Sequence, residues 1–467
     1  MASDGAEAPR VRFSPAPSGN LHVGSARTAL FNWIHARKTG GTFILRIEDT
    51  DAATARPELV DQVLDTLRWL GTEWDEGPYR QSERADLYTA AVDKLLANGS
   101  AYRCDCTTED VDARAQAAGR KTPGYDGFCR DRELPAATST AVRFRTPDDG
   151  EVAFDDVIRG HVSFPAADVV DFVIQRADGS AIFLLANAVD DLDMRVTHVI
   201  RGEDLLNTVP KQLLVMQALG HDLPVYAHLP LLVDEGRKKL SKRRHSVGVN
   251  EYRERGYLPA AFTNFLATLG WGPPDGVEIR PMGEIVELFE LADVTKSGAF
   301  FDAKKLDHFN GEYLRALDLD AFVEGVARFL PFAIDDRFRT LAPLVQERCV
   351  TFADAGEMVE FLYRDEPEID PASWDKAMQG PAAEVLDAAI AEFEGVDAAG
   401  WNSGRLHEVL AAIGERLGLK LAKAQAPVRV AVTGKSVGPP LFESLEVLGR
   451  DATVARLRAA RSRLGPS

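Results

Sequence analysis

The chain has 467 residues, 45% of them hydrophobic and 27% charged, and its 54 basic and 72 acidic side chains leave a formal net charge of −18. This length calls for two to four domains, and the composition is that of an ordinary globular protein. No apolar run approaches the length that spans a bilayer, and Met1–Arg10 carry acids without an apolar core. Neither a membrane anchor nor a signal peptide is therefore expected, and the cytoplasm is the expected compartment.

The first predicted element is a short extended segment, Val11–Ser14, stopped by Pro15 and Pro17. Ser18-Gly19-Asn20 makes a turn. A helix follows from about Gly24 to Lys38, with Leu30, Phe31 and Ile34 at helical spacing and Gly40-Gly41 ending it. Thr42–Ile47 reads as the next strand, and Leu59, Val60, Val63, Leu64 and Leu67 mark a second helix. Strand, turn, helix and strand in this order predict a doubly wound, mostly parallel α/β sheet. From about residue 101 the pattern changes to cysteines, short strands such as Val142–Arg145 and turns such as Pro147–Gly150, as in an inserted domain. The α/β pattern returns with a strand at Arg195–Ile200 and a helix near Leu205–Leu219 closed by Gly220. Beyond about Leu306 amphipathic helices dominate, with little β signal until Pro427–Val432. There is no internal repeat and no low-complexity tract.

The acidic balance taken alone argues against a nucleic-acid partner, but a binding face needs only a local basic cluster. Two exist, Arg237–Arg244 and the series Arg450, Arg456, Arg458, Arg461 and Arg463. Either by itself also reads as a solvated loop or helix face. His22 and Gly24 stand where a strand-exit loop meets a helix N-terminus. Unpaired N–H groups and the helix dipole favour phosphate there, and glycine allows close backbone approach. Lys239-Leu-Ser-Lys-Arg243, after the strand-like Leu229–Val233, suits charge accumulating on a polyphosphate. Each segment alone reads better as an ordinary turn or a solvated basic run.

Together the two segments resemble the HIGH and KMSKS motifs of class I aminoacyl-tRNA synthetases, at His22–Ser25 and Lys239–Arg243. Between them stand Arg46–Asp51, Ala186–Asp191 and Val199–Asp204, and all five in this order resemble the glutamyl-tRNA synthetase family. The resemblance is strong to about residue 315 and more diffuse beyond. It implies ATP and Mg2+, L-glutamate and tRNA(Glu) as partners, and glutamate activation that requires bound tRNA. His22, Lys239 and Lys242 would be catalytic, and His22, Gly24, Lys239, Ser241 and Lys242 would hold ATP. Arg12 and Arg201 would bind the substrate carboxylates as guanidinium forks. Glu48 would bind the ammonium, with Ser14, Phe183 and Asn187 beside the substrate. The chain departs from the family at Ala16, where serine is usual, at Phe183, where tyrosine is usual, and at Ser25, the last letter of HIGH.

Cys104, Cys106 and Cys129 crowd into 26 residues, and a disulfide scaffold does not suit a chain this long, so metal binding is the first expectation. The resemblance makes that metal one structural Zn2+ per chain. Three thiolates leave a fourth tetrahedral position, for which Asp131 is the first candidate and Tyr125 the alternative. Cys349 is expected in a core.

The expected architecture is an α/β Rossmann-type catalytic domain with an inserted α/β acceptor-binding domain, followed by an all-α anticodon-binding region. Its boundaries are 1–100 for the first catalytic half, 101–194 for the insertion with its zinc site and 195–245 for the second half. A stem-contact region at 246–315 and an anticodon-binding region at 316–467 complete it. By resemblance Arg348 falls where an arginine reads the third anticodon base. The alternatives are a glutamyl-queuosine tRNA(Asp) synthetase, which ends near residue 300, and a catalytically silent tRNA-binding paralogue. A small-molecule nucleotidylyltransferase is a more distant one. Nothing in the sequence demands more than a monomer.

Overall fold

The computed structural model describes residues 8–17, 20–50, 56–119, 124–135, 140–240 and 248–465. They form two compact units, Met1–Tyr252 with Phe262–Ala303, and Arg253–Ala261 with Lys304–Ser467.

In the first unit β1 (Arg10–Phe13) leads to α1 (Val23–Thr39), β2 (Thr42–Ile47), α2 (Pro57–Trp69), β3 (Glu76–Arg80) and α3 (Ala85–Ala97). The middle stretch carries β4 (Ala101–Cys104), α4 (Thr108–Ala117), β5 (Ala141–Phe144), β6 (Glu151–Asp156), β7 (Gly160–Pro165) and β8 (Val173–Gln175). Then come α5 (Phe183–Asp193), β9 (His198–Gly202), α6 (Val209–Ala218), β10 (Val225–Leu229), β11 (Leu232–Val233) and β12 (Ala299–Phe300). Helix α1 forms because His22 caps its first turn and Gly40, at φ 65°, closes its last in the left-handed region. Its stripe Val23, Ala26, Leu30 and Ile34 is buried.

The main sheet has seven strands in the order β3-β2-β1-β9-β10-β6-β7. All neighbours run parallel except β6 and β7, which form an antiparallel edge hairpin. The stretch expected as a separate insertion therefore gives two strands to the main sheet, and Val152 of β6 shares a core with Ile44, Val199 and Leu213. The rest of it forms a three-stranded antiparallel sheet, β4-β5-β8, packed on α3, α5 and α6 through Val92, Phe144, Ile174, Leu185 and Met216. The strand expected at Arg195–Ile200 begins at His198, because Arg195 turns the chain out of α5 with φ 53°.

The second unit is helical throughout its described residues beyond 303, with two apolar cores. Pro427–Val432, read as β signal, lies within the helix Leu421–Thr433. Ala424, Val428 and Ala431 pack into a core there, so burial at helical spacing overrides the β-branched run.

Candidate active site

The order of strands along the main sheet reverses between β1 and β9, and at such a switch the loops leaving the carboxyl ends diverge and open a crevice. A cleft of about 430 Å³ lies there. It is lined by nine of the residues named from sequence: Arg12, Ser14, His22, Gly24, Glu48, Phe183, Asn187, Arg201 and Lys239. Ser241 and Lys242 lie outside the described residues.

One wall of the cleft is formed by Phe183 and Asn187 of α5, a helix anchored through its C-terminal half. Two buried aspartates there oppose the helix dipole and are stable only because arginines meet them. Arg12 binds Asp191 through Nε at 3.0 Å and Nη2 at 3.3 Å. Arg46, fully buried, donates to Asp191 at 2.7 Å and to the Asn187 side-chain oxygen Oδ1 at 2.6 Å. Burial alone would raise the Asp191 carboxyl, yet Arg12 and Arg46 hold it below the usual carboxylate range. Asp190 accepts from Gln81, Arg84 and Tyr88 at 2.9, 2.7 and 2.9 Å. Arg46 and Asp191 fall inside motifs recognised from sequence, but nothing there assigned them this bracing role.

Arg201 forms the opposite electrostatic case. Its guanidinium is buried and hydrogen-bonded only to neutral groups: His228 Nε2 at 3.1 Å, Gln212 Oε1 at 2.9 Å, and the Leu205 carbonyl and Thr208 hydroxyl, both at 3.2 Å. Burial lowers its pKa to about 10, and no carboxylate bonds to it among the described residues. A buried cation in a cleft wall without a counter-ion is a receptor for an anion. Nearby, Glu48 is half-buried, and burial pushes its carboxyl up to about 7 against the pull of Arg46, Arg12 and Asn187. The Ser14 hydroxyl is buried without a hydrogen-bond partner. Phe183 starts α5 with its aromatic ring in the cleft lining.

The other end of the cleft meets α1. The Gly24 N–H donates to His22 Nδ1 at 3.0 Å, so in the neutral ring the proton sits on Nε2, where it can be donated. A side chain on Gly24 would meet that imidazole at 3.3 Å. Arg27, one turn further, is buried and donates to the carbonyls of Pro230 and Leu269. It ties α1 to the chain entering β11. Lys239, on the return from β11, is exposed and pairs with Asp204 at 3.3 Å.

Residues 9–308 match the family "tRNA synthetases class I (E and Q), catalytic domain", and residues 321–461 match "Anticodon binding domain". The chain is 53% identical to a glutamate–tRNA ligase of Frankia casuarinae, covering 97% of this chain and 98% of that one. The corresponding figure for Thermobifida fusca is 49%, over 97% and 98%. A crystal structure of a glutamate tRNA ligase from Elizabethkingia meningosepticum, in complex with its amino acid, superposes with a TM-score of 0.82 at 32% identity. It covers 98% of this chain and all of that one. The chain belongs to the glutamate–tRNA ligase family.

Like other members of the glutamate–tRNA ligase family it is a class I synthetase, with a parallel-sheet catalytic core and a helical anticodon-binding region. Away from the cleft, the sulfurs of Cys104, Cys106 and Cys129 lie within 4.8 Å of one another, close enough to hold one metal ion. Each accepts an N–H from a different arginine: Arg143 at 3.2 Å, Arg114 at 3.3 Å and Arg132 at 3.3 Å. Positive charge therefore already faces the sulfurs, as a set of metal-bound thiolates needs. Asp131 does not join them; its side chain is 88% exposed and paired with Arg145. The hydroxyl of Tyr125 lies 3.5 Å from Cys104 Sγ and accepts the Cys129 N–H at 2.8 Å, so Tyr125, and not Asp131, stands beside the sulfurs. Cys349 is buried in a core of the helical unit.

In the second unit Arg348, in the turn after the helix Asp336–Gln346, is exposed and donates to the Leu344 carbonyl at 2.9 Å. The C-terminal arginine series is not a free basic face. Arg450, Arg458, Arg461 and Arg463 pair with Asp451, Glu394, Asp387 and Glu366, and Arg456 is buried against the Val432, Phe361 and Arg364 carbonyls. Among the described residues no helix is long and apolar enough to cross a membrane.

Proposed function

We propose that the cleft activates L-glutamate with ATP and passes the glutamyl group to the 3′ end of tRNA(Glu). The observation that carries this reading is Arg201, a buried guanidinium without a carboxylate partner, in the same cleft as the half-buried carboxyl of Glu48. Glutamate brings two carboxylates and one ammonium. Arg201 and the unoccupied edge of Arg12 receive the carboxylates, Glu48 receives the ammonium, and Ser14, Phe183 and Asn187 surround the side chain. The α-carboxylate attacks the α-phosphorus of ATP, the bond to pyrophosphate breaks, and glutamyl-adenylate forms. His22 and Ser241 donate to the phosphates, Gly24 lets the helix N-terminus approach them, and Lys239 and Lys242 neutralise them. Mg2+ balances the charge of the triphosphate. The terminal ribose hydroxyl of the tRNA then attacks the glutamyl carbonyl, and AMP leaves. No protein nucleophile is needed, and positioning and electrostatics carry both steps.

Cys104, Cys106, Cys129 and Tyr125 would hold one structural zinc ion, for which three thiolates and one oxygen are suitable chemistry. The enzyme acts as a cytoplasmic monomer, and Arg348 contributes to reading the anticodon. The test is charging of tRNA(Glu), tRNA(Gln) and tRNA(Asp), each with glutamate and with glutamine, by the full-length chain. Glutamylation of tRNA(Glu) alone is expected. Charging of tRNA(Asp) alone, or of none, overturns the reading.

A further inference from the structure

Arg201 is held from outside the cleft by a chain of hydrogen bonds that crosses two strands. His228, on β10, is fully buried, and its Nε2 accepts the Nε–H of Arg201 at 3.1 Å. Its Nδ1 lies 2.6 Å from Asp156 Oδ2, at the end of β6. Asp156 is also buried and collects three backbone N–H groups: Ile158 at 2.9 Å and Arg159 at 2.8 Å on Oδ1, and His228 at 3.0 Å on Oδ2. A carboxylate so surrounded by donors remains an acceptor, which obliges the imidazole to present Nδ1–H to it. Nε2 is then left with a lone pair only, which is what the Arg201 Nε–H requires. The ring cannot turn over freely, because Tyr226 stacks on it with ring centroids 5.9 Å apart and planes 6° from parallel. With Gln212, Leu205 and Thr208 engaging the rest of the fork, an Nη1 N–H of Arg201 remains for a ligand.

We propose that Asp156 and His228 are positioning residues, a relay that sets one imidazole tautomer and thereby aims the guanidinium of Arg201 at a substrate carboxylate. This rests on reading the cleft as a glutamate site. The relay extends from the sheet-edge hairpin, β6–β7, into the amino-acid pocket, so a segment that follows the first half of the catalytic fold reaches the substrate through two side chains.

Two substitutions at one position separate aiming from simple structural support. His228→Asn keeps an amide N–H for Asp156 but removes the acceptor from Arg201. His228→Gln puts an amide oxygen near the former Nε2 position. In steady-state charging by the full-length enzyme, His228→Asn should raise KM for glutamate about tenfold, the cost of one charge-assisted hydrogen bond. KM for ATP should move by less than about twofold, and His228→Gln should recover most of the loss. Asp156→Asn, whose amide permits the opposite tautomer, should behave as His228→Asn does. Equal loss in His228→Asn and His228→Gln, or an unchanged KM for glutamate with only a lowered melting point, overturns the relay. A measurement on the unmodified enzyme needs no variant to fold. Nitrogen-15 NMR of His228 at neutral pH should show a protonated Nδ1 and a bare Nε2, and a proton on Nε2 overturns the proposal. Failure of the unmodified enzyme to charge tRNA with glutamate would instead overturn the reading beneath it.

Discussion

Burial moves the Glu48 carboxyl from 4.5 to about 7, although Arg46, Arg12 and Asn187 all pull the other way. An ammonium group bound beside it favours the ionised form, so binding of the amino acid is linked to loss of that proton. With a folded value near 7, the ionised fraction falls roughly tenfold from pH 8 to pH 6. kcat/KM for glutamate should fall with it, and Glu48→Gln should show a low, flat profile. A pH-independent kcat/KM in the parent enzyme would remove Glu48 from the ammonium site. The stability linkage has its own sign. Between about 4.5 and 7 the folded state holds a proton that the unfolded state has lost, so this group's contribution to stability declines as pH rises through that window. Phe183 offers a second test. Phe183→Tyr adds a phenol to the cleft lining, and a hydroxyl bonded to a carboxylate should lower KM for glutamate about tenfold. A raised KM would mean the pocket is packed around the phenylalanine ring. These residues were legible because they sit in ordered motifs. Asp156 and His228 were not, because a hydrogen bond between positions 72 apart leaves no local pattern.

At the scale of elements, α5 carries the most charge-dependent packing. Asp191 joins β1 through Arg12 and β2 through Arg46, near the helix's negative end. Asp191→Asn takes from buried Arg12 its paired carboxylate and leaves buried Arg46 only Asp190 at 3.6 Å, and the expected loss is roughly 3–5 kcal/mol of stability. Asp193→Asn, at the half-exposed pair with Arg84, should barely move the melting point. Equal effects from both would show that α5 is not held by its buried charges. The cysteine cluster joins the end of β4 to the loop carrying Cys129, so on the zinc-site proposal Cys104→Ser should lose zinc by elemental analysis while ATP binding survives. Retention of one zinc per chain in that variant would place the metal elsewhere. Helical spacing made α1 and α2 readable and a continuous apolar run made β2 readable, each beside a glycine or proline boundary. It misread Pro427–Val432, where a run of valines serves a helix because its neighbours bury it. It also gave no hint that β6 and β7 belong to the main sheet, because alternation records which face is buried and not which strand lies alongside.

For the whole molecule, the order of motifs carried the architecture: two halves of one sheet separated by a long excursion, then helices. What it left open was how the excursion is stitched back, which depends on pairing across sequence distance. That same topology bears on how the chain is made. β1 is an interior strand of the sheet, flanked by β2 on one side and β9 on the other. Its partner β2 follows at once, but Arg10 meets Thr197 only after 187 further residues. At roughly 5–20 residues per second of synthesis, β1 waits on the order of 10–40 s with one flank open. An unpaired strand edge backed by apolar Val11 and Phe13 is a template for pairing with other chains. Nascent chains stalled before His198 should therefore remain protease-sensitive and be held by chaperones in ribosome pull-downs. Those stalled well beyond Leu229, where β9 and β10 are both available, should become resistant, and the ribosome making this enzyme must shelter an unfinished sheet from the emergence of β1 until β9 arrives.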